Sequence, residues 1–189
     1  MVGGGSFPDL PSPEPCLNPL VYWITGLPAA GKTTLATALA QAINQAGGRA
    51  CVLDGDELRK GLCSDLGLSA ADRAENIRRA GEVARLMAHN GMTVVCAFVS
   101  PFETDRQRVR ALFAPGEFHE IHLSTSVDEC ARRDPKGLYA RARAGLITGL
   151  TGLDGAYEAP LAPESQYDTQ TTAVAAMVQQ LLAARTARA

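Results

Sequence analysis

Eight consecutive residues, Gly26-Leu27-Pro28-Ala29-Ala30-Gly31-Lys32-Thr33, constrain this chain more than any other segment, because they match G-x-x-x-x-G-K-[ST] in full. The run before them, residues 20–25, is apolar, β-branched and aromatic, the composition of a buried central strand. Residues 33–46 are rich in Ala and Leu and favour helix. A strand, a glycine-rich turn and a helix, in that order, make a phosphate cradle. The glycines let backbone N–H groups turn inward, and the helix start adds the positive end of its dipole. In such a cradle Lys32 reaches the β- and γ-phosphates of a nucleotide, the Thr33 hydroxyl is placed to ligate Mg2+, and Thr34 continues the nucleotide-binding segment. The plainer alternative is an incidental turn with a stray lysine. Lysine scarcity weighs against it, since Lys32, Lys60 and Lys136 are the three lysines among 18 basic residues.

After the cradle, strand-like and helix-like segments alternate. Strands are expected at 50–53, 93–99 and 118–123, with helices at 69–90, 104–113 and 171–187 and a short one capped by Ser126 with Glu129. This alternation predicts an α/β fold with a parallel central sheet and helices on both faces. Ligands in such sheets bind beyond the carboxyl ends of the strands. Residues 1–19 are rich in Gly, Pro and Ser and read as a flexible leader to a single domain at 20–189. Residues 134–165, rich in Arg, Gly and Pro, read as a mobile lid.

The bulk numbers exclude several classes. A net charge of −2 argues against a protein that coats nucleic acid. No apolar run reaches the length of a membrane span. Five scattered cysteines (Cys16, Cys51, Cys63, Cys96, Cys130) fit reduced thiols of the cytoplasm better than a disulfide frame or a zinc site. His89, His119 and His122 read as structural. A GTPase would carry an N-K-x-D guanine-reading motif, and there is none. A motor or transporter ATPase would need more chain. What remains is a compact ATP-dependent kinase whose acceptor must be found.

Asp54-Gly55-Asp56 closes the second expected strand, with Arg59 one helical turn later. A kinase needs a carboxylate near the attacking hydroxyl and cations for an anionic acceptor. Taken alone, the segment is as well explained by a turn and a helix cap. It continues, however, through residues 57–67 into Asp72-Arg73-Ala74-Glu75-Asn76, then Phe98-Val99-Ser100-Pro101-Phe102, then residues 133–145, Thr151-Gly152-Leu153-Asp154 and Tyr157-Glu158-x-Pro160. These blocks, in this order, closely resemble the adenylyl-sulfate kinase family of P-loop kinases, which makes 3′-phosphoadenylyl sulfate from ATP and adenosine 5′-phosphosulfate in sulfate activation. The resemblance spans residues 21–169, and several ordered blocks are more specific than any one.

The resemblance implies roles position by position. Asp56 matches the carboxylate beside the acceptor 3′-hydroxyl and the magnesium site, supported by Asp54. Arg59, Arg73 and Asn76 match residues holding the phosphosulfate and ribose, and Val99 and Ser100 match residues lining the acceptor pocket. Ser100 also matches a serine sometimes labelled a phosphoenzyme intermediate, although P-loop kinases transfer directly in line. Lys136, with Gly137 and Leu138, matches the lid segment that approaches acceptor and transferring phosphate, and Arg133 and Arg141 match residues closing over ATP. The family pattern G-L-S-G-S-G-K-S is Gly-Leu-Pro-Ala-Ala-Gly-Lys-Thr here, and two aromatics that commonly sandwich the adenine are Leu68 and Leu150. Weaker or less selective adenine binding is the expected result. Arg78, Arg79, Arg85, Arg106, Arg108 and Arg110 read as a solvated helix face. Two alternatives stay open: a P-loop kinase for another nucleotide or small alcohol, and a non-catalytic nucleotide-binding module. A homodimer and an ATP sulfurylase complex are the candidate assemblies.

Overall fold

The computed structural model describes residues 20–186 of the 189-residue chain; the expected leader at 1–19 lies outside them. Strand β1 (Val21–Gly26) is buried at all six positions and occupies the centre of a five-stranded sheet. Its flanks explain why an almost wholly apolar strand is stable there. β3 (Thr93–Ala97) pairs with it on one side and β4 (Phe118–Leu123) on the other, both parallel. β2 (Ala50–Asp54) adds outside β3, and β5 (Ser165–Tyr167) outside β4, giving the order β2-β3-β1-β4-β5.

Side chains alternate across a strand, so β1 divides the interior into two cores. Tyr22 and Ile24 join Val95, Ala97, Ile121 and Leu123 beneath α1 (Lys32–Gln45) and α7 (Val174–Thr186), which also pack on each other. Val21 and Trp23 join Val94, Cys96, Phe98 and Phe118 beneath α3 (Ala70–His89) and α4 (Glu103–Arg110). The remaining helices are short: α2 (Gly55–Leu58), α5 (Val127–Arg133) and α6 (Leu138–Arg143). Ser69 caps α3 by accepting from Asp72 N, and Ser126 caps α5 by accepting from Glu129 N.

Three differences from the sequence expectations have physical reasons. β5 falls at the end of the expected lid; at three polar-rich residues on a sheet edge it carries no readable period. α6 lies within the same lid segment. Finally, α4 is not a uniformly solvated face. Arg106 is 1% exposed, Arg110 pairs with Glu120 and Glu164, and on α3 Arg79 pairs with Asp65 and Glu75. His119 and His122 are buried on β4, where His119 Nε2 meets Ser165 Oγ at 2.8 Å.

Candidate active site

β1 ends in Gly26 against β4, where an added Cβ would lie 2.8 Å from Leu123 O. No side chain fits there. The chain then turns through Ala29 (φ +63°) and Gly31 (φ +99°) into α1. No side chain caps α1, so its first N–H groups face the loop, ready for an anion. Lys32 Nζ donates to Gly26 O (2.9 Å) and Leu27 O (2.7 Å) across the same loop. Burial lowers its pKa to about 8, while the Asp54 and Asp56 carboxylates oppose the shift.

The loop is braced from behind by Thr125 and Thr169, which no motif contains, and by Arg133 and Tyr139 from the 133–145 block. Thr169 Oγ1 donates to Ala30 O at 3.0 Å and lies 2.7 Å from Thr125 Oγ1. Arg133 Nη1 donates to Thr169 Oγ1 at 2.7 Å, and its Nε to Glu129. The Tyr139 hydroxyl donates to Pro28 O at 3.1 Å. Arg133 therefore touches the cradle's support, whereas Arg141 on α6 is exposed and makes no side-chain bond among the described residues.

A single side chain joins the cradle to the next strand end. Thr33 Oγ1 donates to Asp54 Oδ2 at 2.7 Å, and Asp54 Oδ1 caps α2 by accepting from Asp56 N at 2.8 Å. Asp56 in turn forms an ion pair with Lys136, 80 residues away. Both side chains of that pair are about three-fifths exposed, at 62% and 60%.

Arg59 and Arg73 meet beside this turn. Arg59 Nη1 donates to Gly67 O at 2.8 Å. Arg73 donates from Nε to Leu68 O, from Nη1 to Thr151 Oγ1 (3.2 Å) and from Nη2 to Gly149 O (3.1 Å). Burial and the neighbouring Arg59 charge both lower the Arg73 pKa, so the pair favours an anion between or beside them. Asn76, one helical turn along α3, is 4% exposed with its Nδ2 unbonded among the described residues. Leu150 is buried and Leu68 is exposed. Gly152 rests against Leu27 so closely that a Cβ there would sit 2.6 Å from Leu27 Cδ2. The 149–154 segment and the phosphate loop are thus in direct contact.

Val99 and Ser100 lie just past β3. Val99 O accepts from Thr25 Oγ1 at 2.7 Å. Ser100 is 1% exposed, and its hydroxyl accepts from the Trp23 indole at 3.1 Å. That bond and its burial suit a positioning role for Ser100. Trp23, Thr25, Thr125 and Thr169 stand in no recognisable motif, because they act through bonds to residues far along the chain. Tyr139 and Tyr157 lie within blocks of the family resemblance, with no role assigned to them there.

A parallel sheet of this order, with a phosphate loop after its central strand and an Asp-Gly-Asp turn facing it, defines a P-loop phosphotransferase. The adenylylsulphate kinase family pattern matches residues 18–168. Adenylyl-sulfate kinases from Shewanella pealeana and Shewanella denitrificans are each 52% identical, over 87% and 90% of this chain and 80% and 83% of their own. Among solved structures, the Mycobacterium tuberculosis APS kinase CysC in complex with AMPPNP and APS aligns at a TM-score of 0.84. It is 40% identical, covering 88% of this chain and 96% of that one. A gluconokinase from Sinorhizobium meliloti, 19% identical with a TM-score of 0.60, shares the fold alone. This chain belongs to the adenylylsulphate kinase family.

Proposed function

We propose that the protein transfers the γ-phosphoryl group of ATP to the 3′-hydroxyl of adenosine 5′-phosphosulfate. The observation that carries this reading is the chain of contacts from the phosphate loop through Thr33, Asp54 and Asp56 to Lys136. That chain has a carboxylate and an exposed cation at the mouth of the cradle, where an acceptor hydroxyl would meet the phosphate.

The Asp56 carboxylate orients the attacking hydroxyl and accepts its proton. The Lys136 ion pair is exposed, and such pairs are worth about 0–1 kcal/mol, so moving the ammonium from Asp56 to the transferring phosphate costs little. Lys32 exchanges its two loop carbonyls for phosphate oxygens and, with Lys136, stabilises charge on the transferring group. Arg59, Arg73 and the unbonded Nδ2 of Asn76 fit the phosphosulfate and ribose of the acceptor. The Thr33 hydroxyl with the Asp54 and Asp56 carboxylates forms an all-oxygen set at the cradle's edge, which fits Mg2+. When bound there, that ion would neutralise phosphate charge.

The segment between Arg133 and Tyr157 acts as a lid. Its closure over both substrates excludes water, so that ATP is not merely hydrolysed. Ser100, occupied by Trp23, supports direct in-line transfer without a phosphoenzyme. The reaction belongs to the cytoplasm on this reading, and no helix among the described residues is long and apolar enough to cross a membrane. Coupled ADP release tests the proposal. Adenosine 5′-phosphosulfate should stimulate it strongly, and AMP, shikimate and gluconate should not. Release no faster with adenosine 5′-phosphosulfate than without acceptor refutes it.

A further inference from the structure

α4 is strongly polar, yet one of its arginines is withdrawn from water. Arg106 has no exposed side-chain surface, whereas Arg108 is 76% and Arg110 28% exposed. Its guanidinium joins three pieces of chain. Nη1 donates to Ser100 O at 2.7 Å. Nη2 donates to Glu158 O at 2.7 Å and to the Glu103 carboxylate. Nε lies 2.9 Å from Glu120 Oε1 on β4, with the N–H not aligned on that oxygen.

Two of the three partners outside the helix, Ser100 and Glu158, bear on the acceptor side of the proposed reaction. Ser100 is a non-glycine residue at φ +36°. Such a conformation is strained for a residue with a side chain and persists only where surrounding bonds over-determine it. Here those bonds are Arg106 to Ser100 O, Trp23 to Ser100 Oγ and Thr25 to Val99 O. Glu158 is the far anchor of the lid. Its N–H donates to Pro101 O at 2.8 Å, and its carboxylate accepts from Glu103 N at 2.7 Å, capping an α4 that has no cap of its own. The preceding residue, Tyr157, lies 3.1 Å from Thr25 Oγ1 through its hydroxyl.

We propose that Arg106 is a positioning residue for the phosphoryl acceptor, clamping the strained Val99–Ser100 turn to the lid anchor at Tyr157–Glu158. The proposal rests on the kinase reading above and adds a residue that touches neither substrate. By sharing one guanidinium, the acceptor-lining turn and the lid anchor hold a common geometry. Arg106 makes no bond to the donor cradle itself; the nearest link is Thr25, which precedes Gly26 and bonds Val99 O and the Tyr157 hydroxyl. Trp23 is the chain's single tryptophan and bonds the same turn, so its emission reports on that turn.

Arg106→Lys keeps a buried cation for Glu120 but loses the guanidinium's simultaneous reach to two carbonyls. With a folded Arg106→Lys enzyme, the KM for adenosine 5′-phosphosulfate should rise about ten- to a hundredfold, the loss expected for charge-assisted bonds. The KM for MgATP should stay within about twofold, as for a distant, uncoupled site. The Trp23 emission change on titrating adenosine 5′-phosphosulfate should move to correspondingly higher concentration. A second variant, Arg106→Gln with Glu120→Gln, removes both buried charges together, so neither is left unpaired; it should show the same split. An equal rise in both KM values, or no change in either, overturns the clamp. If neither variant gives a cooperative melt, Arg106 serves folding rather than positioning, and the clamp is likewise overturned. A wild-type enzyme that ignores adenosine 5′-phosphosulfate is a different failure, because it removes the functional reading itself.

Discussion

The two halves of the site are built in opposite ways. The donor half is one contiguous stretch, residues 26–33, shaped first by its own backbone angles and short bonds such as Lys32 to Gly26 O, and braced from behind by Thr169 and Tyr139. The proposed acceptor half is gathered from four separated segments around Asp56, Arg73, Ser100 and Lys136. Bonds spanning large sequence distances hold it, such as Arg73 to Thr151 and Lys136 to Asp56. The donor half is therefore preorganised by a local motif, and the acceptor half depends on how helices and lid dock. A change in one half should register on its own substrate and leave the other nearly untouched.

The largest effect should come from the group closest to the chemistry. Asp56→Asn should lower kcat by about 10^2–10^4-fold, the range for losing a general base. Affinity for ATP without Mg2+, for which Asp56 is a proposed ligand, should be nearly unchanged by calorimetry; a parallel loss of metal-free ATP binding would erase the distinction between the halves. Next, Arg73→Ala removes the bonds to Leu68 O, Gly149 O and Thr151 Oγ1 and a cation facing the acceptor. The KM for adenosine 5′-phosphosulfate should rise about 10–100-fold with the MgATP KM little altered, as steady-state titrations of each substrate would reveal.

A pH profile probes the donor half alone. The Lys32 pKa is lowered to about 8 by burial, and the protonated ammonium is the form that attracts phosphate. As pH rises through that value the proton is lost. The kcat/KM for MgATP, which reports the free enzyme, should be level below about pH 7, be halved near pH 8 and approach a fall of about tenfold per unit above about pH 9. A flat profile to pH 9.5 would contradict the assignment. The smallest effect concerns Ala29 at φ +63°, a left-handed conformation that costs a non-glycine residue roughly 1–2 kcal/mol. Ala29→Gly relieves it but adds freedom to the unfolded chain, leaving a net gain of up to about 1 kcal/mol. A melting curve should show Tm raised by roughly 2–4 °C at most.

The same contrast explains what could be read from the sequence. The central strand, the cradle, the alternation of strands and helices that implies a parallel sheet, and the cap at Ser69 depend on residues close together in the chain, and all were legible; the strand order was not. The Asp54-Gly55-Asp56 turn was ambiguous from its own residues and acquired meaning only beside the later blocks. Arg106 was misjudged because its neighbours on α4 are polar, and nothing local distinguishes a buried arginine from a solvated one. Its partners, Ser100 O and Glu158 O, are backbone atoms that no residue type announces. Thr125 and Thr169 were missed for a similar reason: their bond joins the ends of β4 and β5, and β5 is too short to be foreseen.

One measurement reaches the central claim most directly. In a single turnover with ATP labelled in its γ-phosphoryl group, Mg2+ and adenosine 5′-phosphosulfate, the label should be found in 3′-phosphoadenosine 5′-phosphosulfate as fast as ADP forms, with none held on the protein. Label recovered as inorganic phosphate, or retained covalently on Ser100, would contradict direct transfer to that hydroxyl.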